Sequence, residues 1–267
     1  MSPFVDDQLL EYSRQVTSRN GHVVLELRRR EGHADGLRLC VCNPMTGDVA
    51  LLPPLLGDDK PGAYACALLT ETGRWSAEVR RSSGPKMSSY TLSQLGQSVV
   101  HGGVAYWPML HTAFAVRVDA PEPEEVPMPP AIKKTPRHNH LLGVTPDGKL
   151  SFIDKGLYFD GSVGVSTDYH LAFGSNGCTR KYERTWRVRL LELNVHRQDA
   201  VKLRWFCERS SKLFFTIDDK GSSTPGAYVL SLQTNELEKV ADAVDCGSWT
   251  SIVGYDMHNA AYLASLI

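Results

Sequence analysis

The sequence predicts an all-β protein, a propeller-like array of about five to six blade equivalents, not necessarily all complete. Two observations carry that expectation. A sentence-like unit recurs along the chain, clearest in LRLCVCNPMTGDVALLPPL at residues 37–55. There Leu37, Leu39 and Val41 alternate up to Asn43-Pro44, the chain turns at Thr46-Gly47, and Val49 to Leu52 run on to Pro53-Pro54. Alternation with period two on either side of a turn dipeptide reads as a β-hairpin, and repeated hairpins build sheet arrays. Helical periodicity of useful length is nearly absent.

Taken in order, residues 1–19 hold Val5, Leu9, Leu10 and Val16 at loosely helical spacing and read as a lead-in with at most a short helix. Asn20-Gly21 opens the strand HVVLELRRR, with Arg28 to Arg30 as a solvated end. A Gly-flanked turn leads to the hairpin above, then AYACALLT supplies a further apolar run and Thr72-Gly73 repeats the turn. Gly102-Gly103 separates SVVH from VAYW, and Asp147-Gly148 separates LLGV from LSFID. Between them lies the proline-rich stretch 120–137, which reads as an extended connector. Trp186 to Leu193 alternates, with Arg187 and Arg189 outward, and Thr234-Asn235 takes the Thr-Gly position between two late strands. Residues 20–267 therefore read as one propeller-like domain.

Spacing supports repetition. A four-stranded blade takes roughly 40–50 residues; Gly21 to Gly103 fits two such units and Gly103 to Gly148 one. Gly47 to Gly73 is too short for a unit, so either a strand is missing or the two turns occupy different places in a blade.

Composition bounds the rest. The chain has 267 residues, 42% hydrophobic and 22% charged, with a net charge of −1. Such a balance supplies no general attraction to nucleic acid or to an anionic membrane, and no run approaches the roughly 20 apolar residues of a membrane span. The N-terminus carries acidic residues before any apolar stretch, unlike a leader peptide, so a cytoplasmic or nuclear protein is expected. Six cysteines are too sparse for a disulfide scaffold. Cys40 and Cys42 share one strand face with Arg38, and read as reduced, partly buried thiols opposite the core side formed by Leu37, Leu39 and Val41.

Chemistry-bearing patterns are weak. His138-Asn139-His140 could offer two zinc ligands from a strand, but no third follows at a recognisable spacing, so these read as exposed loop histidines and no metal or other cofactor is expected. Gly174 to Cys178 lacks the strand-to-helix setting of a nucleophile elbow and reads as a loop. No glycine-rich phosphate cradle occurs. No catalytic residues are assigned. The candidate partner-binding residues are Arg137, His138 and His140 after the connector, and Arg180, Lys181, Tyr182 and Arg184, where cations and an aromatic interleave in a 174–184 loop. Trp107, Tyr158, Trp186, Trp205 and Trp249 read as core.

Taken together, SRNGHVVLELRRR, LCVCNPMTGDVALLPPL, ETGRWS, SVVHGGVAYWPM and AYVLSLQTNELEKV resemble, in that order, the C-terminal half of plant F-box proteins of a grass-expanded group. The resemblance runs from about Ser18 to Ile267. It implies a kelch-like propeller, no enzymatic activity, and recruitment of a target protein for ubiquitylation. It departs at the N-terminus, where an F-box of about 45 residues has no room before Asn20, so direct docking to the Skp adaptor is not expected and the chain resembles a truncated adaptor or competitor. The alternative is an enzyme or small-ligand binder using a central channel.

Overall fold

The computed structural model describes residues 13–27, 38–53, 64–71, 74–80, 92, 95–109, 112–117, 123–127, 140–145, 148–157, 163–172, 179–189, 193, 195, 200–220, 222–243 and 254–255. Arg28 to Arg30, Thr72-Gly73, Arg137, His138, Asp147, Gly174 to Cys178 and Trp249, which figured in the sequence reading, lie outside them. The described elements are eighteen strands in antiparallel sheets, and the fold class is all-β. By chain contacts it divides into two compact units: residues 1–100 with 253–267, and residues 101–252.

The first unit opens with a four-stranded meander of β1 (Arg14–Arg19), β2 (His22–Leu27), β3 (Arg38–Asn43) and β4 (Asp48–Leu51), paired in that order. Residues 14–19 are thus a strand, not part of a helical lead-in. Asn20 and Gly21, at φ of 46° and 77°, close a two-residue hairpin whose twist suits the flanking strands, and Arg19 then faces His22. A second sheet pairs β5 (Ala65–Glu71) with β6 (Arg74–Arg80). β1 packs against β5. Val24, Leu39, Val41, Tyr64, Cys66 and Leu68 form the core between the two sheets. The C-terminal segment reaches the first sheet, where Ser18 donates its hydroxyl proton to the Gly254 carbonyl and Tyr255 donates to Asn43 Oδ1 at 3.1 Å.

Three more four-stranded sheets follow. One holds β7 (Val99–His101), β8 (Val104–Pro108), β9 (Thr112–Arg117) and β10 (Pro123–Pro127). The next holds β11 (His140–Val144), β12 (Leu150–Leu157), β13 (Val163–Ala172) and β14 (Thr179–Arg189). The last holds β15 (Val201–Cys207), β16 (Lys212–Ile217), β17 (Gly226–Ser231) and β18 (Leu237–Asp242). Four of the five sheets are therefore sequential meanders of the kind that serve as propeller blades. In the second unit β11 packs on both β8 and β15. The core there joins Ile153 of β12 to Val201, Phe206, Leu213, Phe215 and Leu230 of the last sheet.

The stretch from 120 contains an element the connector reading missed. β10 begins and ends in proline, and it lies at the edge of its sheet. Pro123, Glu125 and Pro127 have the same parity, so the missing amide protons fall on one side of the strand, which an edge position tolerates.

The recurring turn is a true structural repeat. At the β3–β4 connection Gly47 N donates to Asn43 O at 2.9 Å, and Thr46 Oγ1 donates to Asp48 Oδ2 at 2.6 Å. At the β17–β18 connection Asn235 N donates to Ser231 O at 2.8 Å, and Thr234 Oγ1 donates to Glu236 Oε2 at 2.8 Å. Gly47 and Asn235 both take positive φ, 74° and 61°; asparagine can stand in for glycine there. Both are last connections of a four-stranded meander. The Thr72-Gly73 pair, outside the described residues, lies in sequence between β5 and β6, which pair as a two-stranded sheet.

Candidate functional site

The basic stretch singled out in the sequence lies on β14, an 11-residue strand at the edge of its sheet. Residues 179–184 are thus strand where the sequence suggested loop. β14 pairs along most of its length with the 10-residue β13. The ladder has two irregularities, between Val165 and Ser166 and between Asp168 and His170. At each, β14 carries one residue more than β13: Arg187 at the first, and an extra residue in the Tyr182-Glu183 pair at the second. Such bulges re-sort which residues share a face.

The pairing fixes the faces. His170 stands opposite Lys181, Asp168 opposite Arg184, Ser166 opposite Trp186 and Gly164 opposite Arg189. Alternation along β13 puts these four pairs on one face of the sheet. Leu171 opposite Arg180, Thr167 opposite Thr185 and Val165 opposite Val188 take the other. Of the sequence candidates, Lys181 and Arg184 are brought together, Arg180 is sent to the opposite face, and Tyr182 falls in a bulge. Strict period-two reading would have split Lys181 and Arg189 from Arg184 and Trp186. Asp168, His170 and Ser166 were not anticipated, although the β-branched residues Val163, Val165 and Thr167 are a strand signal.

The first of these faces continues to His140, which is opposite Asp154 on β12, itself opposite Ser166. His140 is buried, and its Nε2 lies 3.0 Å from the Met109 carbonyl oxygen. It is no surface residue. It drops out of the candidate partner-binding set, because a strand at its own position, not a loop, carries it into the interior. Asp154 is buried too, and its Oδ1 accepts the Lys155 amide at 2.8 Å. Lys155, on the opposite face, is fully buried and donates its ammonium to the Val201 carbonyl. That second face packs on the last sheet, as Leu141 and Ile153 join its core and Gly143 abuts Phe206.

The first unit holds another buried polar pair. Tyr64 donates its hydroxyl to Glu26 Oε2 at 2.6 Å, and Glu26 is wholly buried. Burial, then the Glu26 hydrogen bond, hold the Tyr64 hydroxyl well above its ordinary range. Cys40 is fully buried, contrary to the mixed-face reading, since Leu39, Cys40 and Val41 are all interior and β3 is covered on both faces here. Burial first, and the neighbouring Cys42 second, push the Cys40 thiol from an ordinary 9.0 up to about 11. Burial raises Cys42 as well. Cys40, Cys42, Cys66 and Cys207 are reduced, outside any disulfide. Raised values describe unreactive thiols, not nucleophiles. Among the described residues no three His, Cys, Asp or Glu side chains gather to hold a metal ion, and no helix is long and apolar enough to cross a membrane.

The family described as "Domain of unknown function (DUF7595)" matches residues 1–156, more than half of the chain, and the chain belongs to that family. No curated protein matches the sequence. Among solved structures, the crystal structure of the WD40 domain of SCAP from fission yeast is similar to 86% of this chain at 9% identity and a TM-score of 0.33. The chain spans 64% of the length of that solved chain. The fold class rests on the strand pairing above, not on that likeness.

Proposed function

We propose that this DUF7595 chain is a non-enzymatic protein-interaction module of the propeller type, serving as a target-recognition domain like that of the F-box proteins it resembles. The observation that carries the reading is the repetition itself. Among the described residues the sequential four-stranded meander recurs four times, twice closed by the same side-chain-bonded turn, and each meander offers turns and edge strands. Connections and edges on such a scaffold are where recognition generally resides. The buried ionisable groups fit this reading: Glu26 is engaged by Tyr64, and Lys155 by the Val201 carbonyl, so they serve the interior.

Affinity purification of the chain from native tissue, followed by titration calorimetry of the dominant co-purified protein, tests the reading. A saturable complex of defined stoichiometry with one protein is expected. A pull-down against purified Skp-type adaptor, beside a fusion carrying an F-box, tests the relation to ubiquitin ligases. Turnover of a small molecule with no protein partner would overturn the proposal in favour of a channel enzyme.

A further inference from the structure

We infer that the free edge of β4, the last strand of the first sheet, takes up a short extended segment of a partner protein as an added antiparallel strand. The segment has the pattern aliphatic, any residue, aliphatic, basic. The inference rests on the interaction-module reading and names the mode of recognition and the chemistry of the partner. Leu51, at the end of β4, is 45% exposed, and Met45, on the connection into the strand, is 36% exposed. Among the described residues Val240 is the only other large apolar side chain so open to solvent.

The last strand of each meander lies at a sheet edge, and three of the four carry protections against pairing. β10 begins and ends in proline. β14 is bulged against β13 and strongly basic in sequence. β18 is bulged against β17 and shows exposed Glu238, Lys239 and Asp242. In β4 the register with β3 is unbroken, no proline interrupts the strand, and Asp48 is its single charged residue. Its shortness is the remaining restraint, and that confines an added strand to about four residues, or about 13 Å.

The ladder decides which backbone groups face outward. Leu52 N donates to Leu39 O at 2.9 Å, so alternation makes Val41 with Ala50 and Asn43 with Asp48 the further hydrogen-bonded pairs. The N–H and C=O groups of Val49 and Leu51 therefore point away from β3. An antiparallel segment with residue i opposite Leu51 and i+2 opposite Val49 exchanges both backbone bonds at each pair. Side chains i and i+2 then join the face of Val49 and Leu51. Along that face burial falls from Cys40, fully covered, through half-buried Cys42 and Val49 to exposed Leu51, so aliphatic residues extend it outward. Residue i+3 stands opposite Asp48, which is exposed, and a lysine or arginine there completes a cross-strand ion pair.

The experiment is fluorescence polarisation of the full chain with a labelled peptide carrying Ile-Thr-Val-Lys between short Gly/Ser flanks. Saturable binding is expected. N-methylation of the peptide valine removes an amide proton aimed at β4 and should weaken binding at least about fivefold. N-methylation of the threonine, whose amide points away from β4, should leave it within about threefold. Exchanging the peptide lysine for glutamate should weaken binding about threefold. On the protein, Val49→Pro deletes one outward amide proton without touching the ladder to β3, and should weaken the peptide at least about fivefold. Val240→Lys, the same loss of exposed apolar surface from guarded β18, should leave binding within about threefold.

Should Val49→Pro not fold, Leu51→Lys at its exposed position serves instead, and the pair of N-methylated peptides tests the wild-type chain without any substitution. Absence of saturable binding up to about 1 mM peptide, or equal effects of the two N-methyl groups, would overturn the inference. So would concentration-dependent dimerisation abolished by Leu51→Lys, which assigns the edge to a second copy of this chain. A co-purified protein captured equally by the wild-type and Val49→Pro chains would overturn it while leaving the interaction-module reading intact.

Discussion

Replacing Gly143 by alanine is expected to destabilise the second unit by about 1–3 kcal/mol, the usual cost of overpacking. Gly143 lies on β11 with its open side against Phe206. An added methyl carbon would sit 2.2 Å from Phe206 Cδ1, 2.6 Å from Cε1 and 3.3 Å from Cγ. Carbon atoms rest comfortably at about 3.5–4.0 Å, so the ring must retreat by more than about 1 Å. Phe206 is buried in a cluster with Leu203, Leu213 and Ile153, and close-packed interiors give way reluctantly. The assay is guanidinium unfolding followed by tryptophan fluorescence, with Phe206→Ala and the double substitution completing a thermodynamic cycle. Phe206→Ala alone should cost about 3–5 kcal/mol. In that background the Gly143→Ala penalty should vanish or reverse, because the methyl occupies space the ring has left. A Gly143→Ala cost that is the same in both backgrounds, or a change within about 0.5 kcal/mol in the parent, would refute the packing of these two sheets.

Tyr64→Phe should cost about 1.5–3 kcal/mol, as the buried Glu26 loses a hydrogen-bond donor; a lower denaturant midpoint at unchanged slope is the readout. Cys40, raised from 9.0 to about 11, favours its protonated form in the fold, so its stabilising contribution is complete below about pH 9 and is lost as pH rises through 11. Melting temperature should therefore fall across that window, with Cys40→Ala flattening the fall; Tyr64, also raised, acts in the same direction at higher pH. Gly226→Ala should loosen β18, because φ of 153° strains an L-residue and the new methyl would meet the Ala241 carbonyl at 2.5 Å. Hydrogen exchange at the β18 amides should accelerate while β15 and β16 stay protected.

Asn20-Gly21, Gly102-Gly103 and Gly148 show what the sequence determined. A positive φ is a local demand, met by few residue types, so the hairpin positions were readable without any partner strand. The Thr46 and Thr234 turns were legible for the same reason, since their side chains bond within two residues of themselves. Strands such as β3 were legible from alternating apolar residues in the sequence, although β3 is buried on both faces. The edge strand β10 was not legible, because its prolines argue against a strand unless one knows that its outer side is unpaired. Burial of His140, Cys40 and Lys155 was likewise hidden: each depends on a neighbouring sheet covering a face that the local pattern leaves open. The grouping of Lys181, Arg184, Trp186 and Arg189 was beyond the sequence altogether. A bulge is a mismatch between two strands, so neither strand alone records it, and only the pairing of β13 with β14 decides which cations share a face.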